Sequence, residues 1–153
     1  IKPLYGGTVG VPLEKIPPTV GMNMAKLDMG DKRVVLWDLG GQARLRSIWE
    51  PYYAEANALV FVVDSADPAR FGEAAEAYAA LLRHEDLAGV PALILANKQD
   101  VAGAESPEAV AKHLATEEGV EGRECHCLGI SALTRDGVGD GIQWLLEHAM
   151  PRE

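Results

Sequence analysis

The chain has 153 residues, 48% hydrophobic and 24% charged, the composition of one soluble globular domain with a sizeable core. Its net charge of −9 argues against the basic surface that displaces counterions from nucleic acid, and against an electrostatic grip on a membrane by this body alone. No apolar run approaches the ~20 residues that span a bilayer, and neither a signal-peptide pattern nor a prenylation box at Met150-Pro151-Arg152-Glu153 is visible.

Residues 3–18, rich in Pro and Gly, read as a loop. Val20 to Asp28 and Arg33 to Leu39 follow, joined by the turn-rich Met29-Gly30-Asp31-Lys32, which predicts an antiparallel hairpin. Ala58 to Val63 ends at Asp64, and Ala92 to Ala96 ends at Asn97. Unbroken runs of β-branched residues and Leu predict strands covered on both faces, as in a parallel sheet. Between them Asp67-Pro68 starts a helix whose apolar positions Phe71, Ala75, Tyr78, Leu81 and Leu82 recur at helical spacing. Ser106-Pro107 opens a second helix with Val110 and Leu114 on one face. Cys125 to Ile130 supplies another strand, and from about Asp136 a last helix presents Val138, Ile142, Leu145, Leu146 and Ala149 as its buried stripe.

Cys125 and Cys127 are too few and too close for a disulfide framework. One residue apart on a strand, they read as buried, reduced thiols suited to the cytosol; with His126 they can also be read as a metal pair, for which no second ligand cluster exists. Strands alternating with helices after a single hairpin imply an α/β fold, mostly parallel with one antiparallel edge strand, in one domain over 1–153.

Ligands of such sheets bind beyond the carboxyl ends of the strands. Four segments stand there. In Trp37-Asp38-Leu39-Gly40-Gly41-Gln42, a strand-end Asp suits a water-mediated hold on Mg²⁺, Gly41 lets a backbone N–H approach a phosphate, and Gln42 can orient an attacking water. Taken alone, the same string is also a Gly-Gly turn. In Asn97-Lys98-Gln99-Asp100, a carboxylate can accept the N1–H and 2-amino donors of guanine, a pair that adenine lacks. The Lys98 stem can cover the base while its ammonium stays wet, and the Asn97 amide can bridge base and neighbouring loops. Ser131-Ala132 offers a backbone N–H to guanine O6, and Thr19 offers a hydroxyl to Mg²⁺; each is an ordinary turn or strand entrance when read alone.

In chain order, Thr19, then Asp38 to Gln42, then Asn97 to Asp100, then Ser131-Ala132, each at a strand end, the four segments resemble a small GTPase, and from residue 16 onward the chain resembles the ARF family. Trp37 to Gln42, Tyr52-Tyr53, Val63-Asp64-Ser65 and Asn97 to Asp100 carry that likeness. Thr19 to Asn23, Tyr52 to Glu55, Gly89-Val90-Pro91 and Ser131 to Thr134 point within it to the ARF-related protein subfamily. The resemblance implies a Ras-like P-loop fold and a GTP-binding switch in membrane trafficking that hydrolyses GTP to GDP. Thr19 and Asp38 then serve Mg²⁺, Gly41 meets the γ-phosphate and Gln42 is the catalytic residue. Asn97, Lys98, Asp100, Ser131 and Ala132 hold the base. Met22, Trp37 and Tyr52 match an effector-binding hydrophobic triad, although two of the three can equally be core residues. The implied partners are an exchange factor, a GTPase-activating protein and effectors, on Golgi or other endomembranes facing the cytoplasm.

One departure is large. The string G-x-x-x-x-G-K-[ST] does not occur, and Gly6-Gly7-Thr8 carries no Lys. The expectation is a fold lacking its first strand and P-loop, with both lying upstream, an amphipathic membrane-binding helix further upstream still, and weak nucleotide binding by residues 1–153 alone. The alternative is a P-loop-less, nucleotide-independent interaction module on a GTPase scaffold.

Overall fold

The computed structural model describes residues 15–115 and 120–151. Residues 3–14 of the expected N-terminal loop, with Gly6-Gly7-Thr8, lie outside the described residues, and residues 16–20 form no regular element. The chain divides into two compact units, 1–53 and 54–153.

The first unit is built on the expected hairpin. Strands β1 (Met22–Met29) and β2 (Lys32–Leu39) pair antiparallel, with Met22 opposite Leu39 and Met29 opposite Lys32. The chain reverses at Gly30, whose φ of 66° is open to glycine at no steric cost. Directly opposed residues share a sheet face, so Met24 and its partner Trp37 lie with Met22 and Val35 on one side. All four are exposed. A 3-10 helix, Ala43–Ile48, follows β2.

The second unit is a parallel sheet in the order β3 (Leu59–Asp64), β4 (Ala92–Asn97), β5 (Cys125–Gly129). Three α-helices accompany it: α1 (Phe71–Arg83), α2 (Pro107–Leu114) and α3 (Val138–His148). Strand side chains alternate between faces. Ala92, Ile94 and Ala96 of β4 join Val63, Phe71, Tyr78, Leu82, Val110 and Leu114 in the core under α1 and α2. Leu93 and Leu95 point the other way and meet α3, where a Cβ on Gly141 would stand 3.3 Å from Leu95 Cδ2. Helix α2 starts as its sequence predicts, with Pro107 in the first turn and Ser106 Oγ accepting from Ala109 N–H at 3.2 Å.

Four expectations require correction. Strand β3 is not covered on both faces: Val60 and Val62 are 36% and 58% exposed. Among the described residues it is an edge strand, and α3 lies over β4 beside it. The α1 stripe runs through Ala77, which is buried, while Ala75 is only half-buried. In α3 the one buried residue is Gly141. Val138, Ile142, Leu145 and Leu146 are half-buried and Ala149 is exposed, because three strands make a narrow seat for this helix. The cysteines are free, as expected, but Cys125 is exposed and Cys127 half-buried, since β5 is the opposite edge among the described residues. No cluster of three or more His, Cys, Asp or Glu able to hold a metal occurs among the described residues.

Burial still acts on Cys127, whose thiol donates to Pro107 O at 3.4 Å and is pushed up to about 11 by desolvation, with Glu108 adding to the shift. Its ordinary value is 9.0, so between these pH values the unfolded chain releases this proton while the folded chain keeps it. Folding stability should therefore fall as pH rises from about 9 to 11. Urea unfolding across that range should show a shallower decline in Cys127→Ala than in the unsubstituted chain.

Candidate functional site

In the second unit the three parallel strands end at Asp64, Asn97 and Gly129 on one edge of the sheet. The turn after β4 is tight. Lys98 takes a φ of 70°, a left-handed conformation uncommon for a residue with a side chain, and its carbonyl accepts from Val101 N–H at 3.0 Å. Gln99 turns inward. Its Nε2 donates to Ser65 Oγ at 3.0 Å, Glu105 O at 3.0 Å and Ala96 O at 3.3 Å, and its backbone N–H donates to Ile130 O at 3.1 Å. That approach needs Gly129, where a Cβ would overlap Pro107 and stand 3.3 Å from Gln99 Cγ.

Anchored at Gln99, the turn presents Asp100 to solvent. One of its carboxylate oxygens accepts from Ser131 Oγ at 2.5 Å, and Ser131, 1% exposed, also accepts from Thr134 N–H at 3.1 Å. Asn97 Oδ1 accepts from Ala132 N–H at 2.9 Å. The segments 97–100 and 131–132, separate in sequence, are thus tied together by two hydrogen bonds. The Ala132 N–H, read from the sequence as a donor to a base, here donates to Asn97. The Lys98 ammonium is not simply wet, because it lies 2.6 Å from Asp64 Oδ2. Leu133 is 55% exposed beside this turn.

In the first unit Thr19, Asp38, Gly41 and Gln42 cluster around the end of β2. Thr19 Oγ1 and Asn23 Nδ2 donate to the same oxygen, Asp38 Oδ2, at 3.0 and 3.1 Å. Gly40, the residue before the phosphate-candidate Gly41, is buried and locked: its N–H donates to Gly21 O and its carbonyl accepts from Trp49 Nε1, both at 3.0 Å. Gln42 is exposed, with Oε1 accepting from Arg44 Nε at 3.1 Å, and Gly41 O accepts from Arg46 Nε at 3.1 Å. Of the apolar candidates, Met22 and Trp37 are exposed while Tyr52 is half-buried, its ring 5.0 Å from that of Trp37.

Residues 10–149 match the model of the ADP-ribosylation factor family. The chain belongs to the ADP-ribosylation factor family. It is 40% identical to human ADP-ribosylation factor-related protein 1, over 94% of this chain and 75% of that protein. It is likewise 40% identical to ADP-ribosylation factor-like protein 3 of Saccharomyces cerevisiae, over 88% of this chain and 69% of the relative. Among solved structures it is similar to the Arl6 BBS3 small GTPase from Trypanosoma brucei with bound nucleotide analogue GppNp. That likeness has a TM-score of 0.81 and 34% identity over 90% of this chain and 84% of the other.

Membership of the ADP-ribosylation factor family makes this a small GTPase, a guanine-nucleotide-binding switch of α/β fold. Sequence reasoning gave no role to Gln99, Ser65, Gly129, Gly40 or Asp64, although all but Gly129 stood inside the strings that carried the family likeness. The available signal was modest: a Ser directly after a strand-end Asp, and a Gln among residues that otherwise face outward. Gly40 is the sharper case in this family member. A Cβ there would overlap Thr19 O and stand 3.1 Å from Leu45 Cδ1. Gly40→Ala should cost about 1–3 kcal/mol as the Thr19 segment is pushed away, measurable as a lower urea midpoint with little change in slope.

Proposed function

We propose that the full-length protein is a GTP-dependent switch in membrane trafficking, acting from the cytoplasm on Golgi or other endomembranes. The observation that carries the nucleotide half of this reading is the turn at 97–100. Asp100 is exposed, and Ser131 fixes one carboxylate oxygen. A carboxylate so held accepts the N1–H and 2-amino donors of guanine, whereas adenine leaves it unpaired. Asn97 ties the turn to the Ser131-Ala132 segment, which holds both near one another; the Ala132 N–H reaches the base once it exchanges its Asn97 partner.

On the phosphate side, Thr19 and Asp38 are the residues that would hold Mg²⁺. Their hydroxyl and carboxylate oxygens already meet, and a hard cation prefers such donors. The ion supplies charge neutralisation to the phosphates. Gly41 offers its backbone to the γ-phosphate, and Gln42 orients the hydrolytic water once its amide oxygen exchanges the Arg44 partner it has here. Slow hydrolysis is accelerated by an arginine from a GTPase-activating protein. Met22, Trp37 and Tyr52 form the effector-binding surface, which Met24 and Val35 extend on the same hairpin face. An exchange factor loads GTP, and an N-terminal segment brings the protein to the membrane.

Asp100→Asn tests the base reading directly. An amide donor in place of the carboxylate matches the 2-oxo group of xanthine and mismatches guanine. In the full-length protein, GDP affinity should fall about a hundredfold or more while xanthosine diphosphate affinity rises, read by competition against a fluorescent nucleotide. Equal loss for both nucleotides would contradict the assignment of Asp100.

A further inference from the structure

The base-reading turn has a support that the reading above does not use. Asp64, the last residue of β3, stands opposite Asn97 in the parallel ladder, one residue before Lys98. Its carboxylate is held at both oxygens: Oδ1 accepts from Ala66 N–H at 3.0 Å and Oδ2 from Lys98 Nζ at 2.6 Å. The next residue, Ser65, is fully buried and holds Gln99. Two consecutive residues at the tip of β3 therefore grip two consecutive residues of the turn.

This grip coincides with the turn's unfavoured backbone. Lys98 is one of two non-glycine residues at positive φ among the described residues. A long, flexible side chain leaving such a backbone samples many directions unless its end is fixed. The Asp64 carboxylate fixes it, and the Ala66 N–H fixes the carboxylate in turn. With the ammonium anchored, the four-carbon stem of Lys98 has a defined course from the turn to the tip of β3.

We infer that Asp64 is a positioning residue for Lys98. By anchoring the ammonium, it holds the aliphatic stem as a preformed wall for the guanine base and so slows nucleotide release. This inference rests on the guanine-binding reading of the 97–100 turn. Asp64 itself touches no nucleotide in this account.

The test is the dissociation rate of fluorescent GDP from the full-length protein, as a double-mutant cycle of Asp64→Asn and Lys98→Met. Asparagine keeps an oxygen acceptor for Ala66 N–H and removes the charge that Lys98 needs, while methionine keeps most of the stem and loses the ammonium. Because both side chains are partly exposed, Asp64→Asn should speed dissociation about two- to fivefold, and should do nothing further in the Lys98→Met background. Asp64→Glu, which keeps the charge one methylene away, should fall between, and guards against misfolding of the Asn variant. An unchanged rate, or the same acceleration in both backgrounds, would overturn the positioning role while leaving guanine binding intact. Failure of the unsubstituted protein to bind GDP would overturn the underlying reading as well.

Discussion

Gln99 spends its side-chain amide on Ser65, Ala96 and Glu105 and its backbone N–H on Ile130, so one residue joins the ends of all three parallel strands. Parallel pairing makes this possible. Asp64 sits opposite Asn97 and Ala96 opposite Gly129, so the strands terminate level with one another. Everything the turn displays depends on that anchor. Asp100 can face outward with one oxygen on Ser131 because its neighbour faces inward, and Lys98, at a left-handed backbone, reaches back to the Asp64 carboxylate. A glycine at 129 is the steric condition, since any side chain there would meet Pro107 and Gln99.

The hairpin unit follows a different economy. Among its described residues only Gly40 is buried, with Gly21 and Trp49 satisfying both of its polar backbone groups. The 19–23 segment meets Asp38, where Thr19 and Asn23 converge on one carboxylate oxygen. The face carrying Met22, Met24, Val35 and Trp37 stays exposed, at a cost in apolar surface that a partner surface would recover. Arg44 donates to Gln42 and Arg46 to Gly41, so the residues proposed for phosphate chemistry lie beside positive charge.

Much of this was legible in the residues. The hairpin, the parallel strands and all three helices follow from period and from turn chemistry, and Ser106-Pro107 marked the start of α2 with its cap. What failed had a common cause. An unbroken apolar run predicts cover on both faces, yet Val60 and Val62 lie on an edge strand, and strand position is a tertiary fact. Cys125 misled in the same way at the other edge. Most of the site residues that resemblance selected are exposed or half-buried; Ser131, at 1% exposed, is not. The residues that hold them, Gln99, Ser65, Asp64 and Gly129, become visible only when strand ends are seen side by side.

The central claim is that the turn held by Gln99 reads guanine. Its most direct test is displacement of fluorescent GDP from the full-length protein, in the presence of magnesium, by unlabelled GTP, GDP, ATP and ADP. The account predicts displacement by both guanine nucleotides at low concentrations, and by neither adenine nucleotide at concentrations about a thousandfold higher. Comparable displacement by ATP would contradict it.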